Sequence, residues 1–194
     1  KVADSMLVSP FGMEALAAEV YSDSTGESGK NCYPALLIEA CKQAESRQHI
    51  LHIISKDNSC HLSVVFPMYH EQNRIRPKSE HENGQNFVRN KVRQLDWLVD
   101  GVEGFSYDIV ACDDGCDKGS SELMNAIIAE EKYEDRVRVV HIQEAIDQGV
   151  KPFAEHLKTP ADSRKGGAVM YAMHVAAVGA PHPQAQEKKE HLVI

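Results

Sequence analysis

From residue 61 onward the chain alternates between two hydrophobic patterns. LSVVF (62–66), YDIVAC (107–112) and RVRVVHI (136–142) are short apolar runs rich in β-branched residues, as expected of buried strands, and HLVI (191–194) closes the series. Between the first two runs, Val88, Val92, Leu95 and Val99 recur at spacings of four, three and four, which predicts one face of an amphipathic helix. Ser120 and Ser121 precede Glu122 and LMNAII, predicting a serine-capped helix that reaches about Tyr133. A long connection with Gly149, Pro152 and Pro160 follows the third strand. A further helix then places Val169, Met170, Met173 and Ala177 on its apolar side. Strands separated by helices in this order predict an α/β domain with a parallel sheet, because parallel neighbours need crossover connections.

Residues 1–60 read differently. MEALAAEVY (13–21) and YPALLIEACKQAES (33–46) are helical candidates separated by the polar stretch SDSTGESGK, and HILHII (49–54) suits either a strand or a continued helix. The segment is a mainly helical extension, and a cap, an oligomer contact and the end of a preceding domain all remain open as its role. The α/β domain is expected to span 61–194.

Composition narrows the classes. With 194 residues, 42% hydrophobic and 26% charged, the chain can enclose one core. A formal charge of −8 and a pI near 5.7 argue against nucleic acid or an anionic membrane as a general partner. No apolar run approaches the ~20 residues that span a bilayer, and residues 1–12 lack the apolar stretch of a signal peptide. Five cysteines form no even framework, so reduced thiols in the cytoplasm are expected. Cys112 and Cys116 lack a second pair at metal-ligand spacing.

Ligands of open α/β sheets bind beyond the carboxyl ends of the strands, here PMYHE (67–71), DDGCDKGS (113–120) and the region of SRKGG (163–167). A Walker loop, a dinucleotide G-x-G-x-x-G after the first strand, a G-x-S-x-G elbow and an H-E-x-x-H pair are all missing. What remains is an acidic turn. A carboxylate there can accept hydrogen bonds from a uracil N3–H or from ribose hydroxyls, while Gly115 and Gly119 permit a tight turn. The competing reading is that Asp113 to Asp117 only solvate the loop and cap the following helix.

LSVVFPMYHE, then YDIVACDDGCDKGS, then RKGGAV resembles the nucleotide-sugar half of family 2-like glycosyltransferases with the GT-A fold. Those proteins show a strand ending P-x-Y-N-E, a second ending D-D-G-S-x-D-G-[ST], and a G-K-G-x-A segment opening a later helix. The resemblance implies a Rossmann-like sheet and a metal-assisted hexosyl transfer from a nucleotide sugar, with a UDP-sugar as donor and a hydroxyl or phosphate acceptor. KGGAV is similar to the polyprenyl-phosphate sugar synthases, so lipid-phosphate, small-molecule and saccharide acceptors are all implied. By position, Pro67, Met68 and Tyr69 would wall the base, Glu71 would lie near the ribose, and Asp113, Asp114 and Gly115 would hold the base. Arg164, Lys165 and Gly166 would meet the diphosphate or sugar. The magnesium or manganese ligands of the family would be expected just after Ile194, so no metal ligand, catalytic base or acceptor residue is assigned within the chain. His70, Cys116 and Arg164 depart from the family's Asn, Ser and Gly. A sugar-phosphate nucleotidyltransferase, an S-adenosylmethionine methyltransferase and a binding or assembly module without catalysis are the competing readings.

Overall fold

The computed structural model describes residues 47, 48, 50–52, 59–178 and 190–193, which fall into two compact units. In the first unit residues 50–52 are helical, so the described part of HILHII is helix and not strand. There the Arg47 guanidinium lies over the Trp97 ring at 5.2 Å and donates to the carbonyls of Trp97 and Asp100 at 3.1 and 2.8 Å. The helices expected over 13–21 and 33–46 lie outside the described residues.

The second unit holds Ser59–Val92 and the described residues from Glu103 on. Its chain order is β1 (Cys60–Met68), α1 (Gln72–Ile75), α2 (Phe87–Val99, of which Phe87–Val92 belong here), β2 (Phe105–Asp113), α3 (Ser120–Glu131), β3 (Val137–His141), α4 (Ile142–Asp147), α5 (Phe153–His156), α6 (Pro160–Val178) and β4 (Glu190–Val193). The strands are all parallel, in the order β3-β2-β1-β4. The chain therefore builds outward from β1 through β2 to β3 and then returns to the other side of β1. This Rossmann-like order places a topological switch point between β1 and β4.

Helices cover both faces of β2. Tyr107 donates its hydroxyl to the Val92 carbonyl at 3.4 Å, so the start of α2 lies on the face of the odd-numbered β2 residues. Val110 and Cys112, on the opposite face, join Val140 in a core with Ala168, Tyr171, Ala172 and Ala176 of α6. Residues Tyr107 to Asp113 are consequently buried without a break, as expected of a strand enclosed on both sides. Pro67 is tolerated inside β1 for a geometric reason. Met68 accepts a hydrogen bond from Asp114 N–H on the β2 side, so its neighbour Pro67 turns its missing donor to the other side, past the last β4 pair at Ser63.

The buried face of α6 is not that of Val169, Met170, Met173 and Ala177. Met170 and Met173 are 55% and 42% exposed, and Ala168, Ala172 and Ala176 face the sheet instead. Alanines one turn apart let the helix backbone approach the strands, with Tyr171 filling the space beside them, whereas side-chain hydrophobicity alone favours the methionine stripe. The long connection after β3 is also not plain loop: α4 buries Ile142 and Ala145, and α5 buries Phe153 against Tyr171 with ring centroids 5.4 Å apart. Those helices are too short to show a period.

A polar cluster is enclosed beneath the last turns of α6, toward the amino ends of the strands. Asp108 accepts a hydrogen bond from the Ser63 hydroxyl, lies 3.5 Å from His61 Nε2, and pairs with Arg138 at 3.2 Å. Arg138 also reaches the Val175 carbonyl at 3.5 Å. Burial pushes the Asp108 carboxyl up, but the hydrogen bonds from His61 and Ser63 and the Arg138 charge outweigh it and hold the group below its ordinary value.

Candidate functional site

The loops after β1 and β2 are bonded to each other. Glu71 N–H donates to Ser120 Oγ at 2.9 Å, His70 Nε2 lies 2.7 Å from Asp117 Oδ1, and His70 N–H donates to Cys116 Sγ at 3.4 Å. His70 holds a left-handed backbone with φ 57° and stacks on Tyr69, ring centroids 4.0 Å apart and 19° from parallel. Burial pushes the Cys116 thiol up. The Ser120 hydroxyl and the N–H groups of Lys118, Ser120 and His70 more than offset this and leave the thiol below its ordinary value.

Within the acidic turn the two adjacent aspartates have different tasks. Asp113 Oδ1 accepts the Cys116 N–H at 2.7 Å and Oδ2 accepts the Ser121 hydroxyl. Its carboxylate is thus committed to shaping the turn and starting α3, which differs from the expectation that it holds a base. Ser120 and Ser121 do not cap that helix from outside either. Both are buried residues of its first turn, and the capping position belongs to Gly119 with φ 75°. Gly115, φ 80°, sits so close to α6 that an added Cβ would lie 2.7 Å from Pro160 Cβ. Gly115→Ala is expected to cost about 2–4 kcal/mol, combining a left-handed alanine with overpacking, and chemical denaturation measures the loss.

Asp114 is different. It is only 8% exposed, its Oδ1 has no hydrogen-bond partner among the described residues, and the hydroxyl of Ser163 on α6 supplies its one side-chain hydrogen bond. Burial raises its carboxyl; the Ser163 hydroxyl offsets part of this, and the neighbouring Asp113 charge adds to it. A buried carboxylate oxygen without a donor is costly to the fold, and such groups call for an explanation.

Asp114 lines a cavity of about 470 Å³, within the usual range for small-molecule sites. The edge of β1 from Val64 to Pro67 forms its floor. Tyr69, Glu71 and Arg74 come from the loop and short helix after β1, Phe87 and Lys91 from α2, and Lys165 from α6. The cavity therefore opens at the switch point, where parallel sheets commonly bind ligands. Glu71 is paired with Arg74 at 3.0 Å, and the Arg74 guanidinium also lies 5.9 Å from the centre of the Phe87 ring.

Of the residues expected from sequence, Pro67, Tyr69, Glu71, Asp114 and Lys165 line this one cavity. Met68 does not: it is fully buried in the core and contributes its carbonyl to the Asp114 backbone. Gly115 does not line it and turns the chain at φ 80° beside Pro160. Gly166 is exposed, with open space around it, and the Arg164 side chain lies outside the described residues. Lys165 does not open a helix, since α6 already starts at Pro160. Sequence reading missed Arg74, Phe87, Lys91 and Ser163. The available signal was that Phe87 and Lys91 lie one turn apart, flanking the Val88 and Val92 stripe. Among the described residues no group of three His, Cys, Asp or Glu side chains fits a metal ion, and the cavity's two carboxylates are Glu71, tied to Arg74, and Asp114.

Compared with known proteins, the chain matches no family model, no curated protein and no solved structure.

Proposed function

We propose that this chain contains the nucleotide-sugar-binding part of a GT-A glycosyltransferase, which transfers a hexosyl group from a UDP-sugar to a hydroxyl or phosphate acceptor. One observation carries the reading. The buried carboxylate residue Asp114 lines a cavity together with an exposed aromatic residue, Tyr69, and a lysine, Lys165. The Asp114 carboxylate suits an imide or amine N–H, and the 55% exposed Tyr69 suits a base or sugar ring. The Lys165 ammonium suits the diphosphate, which gains charge as it leaves. The magnesium or manganese that the resemblance implies does not fit the carboxylates of this cavity. It would require other ligands.

Calorimetric titration tests the assignment. UDP and UDP-glucose are expected to bind with micromolar affinity, and GDP-mannose and S-adenosylmethionine more weakly, with manganese present or absent. Binding of S-adenosylmethionine alone favours the methyltransferase reading, and no binding of any nucleotide overturns the proposal.

A further inference from the structure

The cavity carries more positive charge than a nucleoside requires. Two carboxylates and three cationic side chains line it. Arg74 neutralises Glu71 through their 3.0 Å pair, and its Nε also donates to Gln85 Oε1 at 3.1 Å. Lys91 and Lys165 then face the single remaining carboxylate, Asp114, and neither lysine forms an ion pair among the described residues. They also come from opposite directions. Lys165 stands on α6, which covers the Val110 and Cys112 face of the sheet, and Lys91 on α2, which covers the Tyr107 face. Two like charges converging on one partly enclosed volume repel each other unless an anion lies there, and the low-dielectric wall around them strengthens both effects.

We propose that Lys91 forms a second phosphate subsite of this cavity, on the wall opposite Lys165. The subsite deepens the nucleotide-sugar reading and rests on it only for the identity of the nucleoside. Phe87, one turn before Lys91, holds Arg74 against its ring, so the Lys91 wall is backed by a fixed cation that prevents Glu71 from capturing the lysine. A phosphate at this position comes either from the diphosphate of the nucleotide or from a second, phosphorylated substrate. The chemistry recognised is the same.

The test uses calorimetry on the full chain and on Lys91→Met and Lys91→Arg, with circular dichroism melting to establish that each variant is folded. Three probes are titrated: UDP, UMP, and glycerol 3-phosphate added to UMP-saturated protein. If the nucleotide supplies the phosphate, UDP binds the unmodified chain about tenfold more tightly than UMP. Lys91→Met then removes that difference and leaves UMP unchanged, and Lys91→Arg restores it. If a second substrate supplies it, glycerol 3-phosphate binds the UMP-saturated protein and Lys91→Met abolishes this binding. Inorganic pyrophosphate separates the subsite from the nucleoside reading. Lys91-dependent pyrophosphate binding without any nucleotide binding keeps the subsite and removes the nucleoside. The subsite is overturned if Lys91→Met leaves every phosphate probe at its original affinity, if it weakens UMP and UDP equally, or if no phosphate probe binds.

Discussion

Asp114→Asn is expected to weaken uridine nucleotide binding by roughly 10–100-fold, the loss that accompanies removing a charged hydrogen-bond partner. The same change is expected to raise the melting temperature of the ligand-free chain by about 2–4 °C, equivalent to ~1 kcal/mol. The two effects share a cause. The Asp114 carboxylate is almost completely buried and one of its oxygens is unpaired, so the fold bears a desolvation cost at neutral pH that the Ser163 hydroxyl offsets only in part. The sign follows from its raised pKa. The folded chain holds this proton more tightly than the unfolded chain, so Asp114 stabilises less as pH rises past the ordinary aspartate value of ~3.9, and at neutral pH it is a net cost. Ligand binding through this carboxylate should weaken on acidification, as it takes up its proton. Unchanged affinity together with a lower melting temperature would show that Asp114 is a structural residue.

Asp108→Asn should move stability in the other direction. It leaves Arg138 and the His61 ring without their carboxylate beneath α6, and the cost is about 2–4 kcal/mol, discounted from the value for a fully enclosed pair because the Arg138 side chain is 36% exposed. Asp108 has a lowered pKa. Its contribution is therefore complete above the unfolded value of ~3.9 and disappears as pH falls from there through the folded value. Urea denaturation at neutral pH should show the full difference between the variant and the unmodified chain. Repeating it near pH 3 should shrink that difference, and a difference that does not depend on pH would contradict the charge network. Nucleotide affinity should be unaffected, because none of His61, Ser63, Asp108 and Arg138 lines the cavity.

The alternation of β-branched runs with a four-three-four helical spacing was enough to place β1, α2, β2, α3 and β3 in order. Burial on both faces makes a parallel strand continuously apolar, and that signal is local. The same locality explains the failures. The face that α6 presents to the sheet depends on how closely its backbone can approach, so Ala168, Ala172 and Ala176 displaced the larger Met170 and Met173. Asp113 and Asp114 are equivalent as letters; alternation along the chain sends one toward Ser121 and the other toward Ser163. Lys91 is a solvated lysine by any sequence criterion, and it lines the cavity only because the first turns of α2 lie beside the edge of β1.

By itself, then, the sequence determined the parallel α/β order and the three loops at the carboxyl ends of its strands, because strand and turn preferences act over a few neighbouring residues. Tertiary structure alone decided that β4 returns beside β1, opening a cavity at that edge, and that Asp114 rather than Asp113 faces it. Both outcomes depend on contacts between segments dozens of residues apart, where packing and desolvation decide which groups are enclosed.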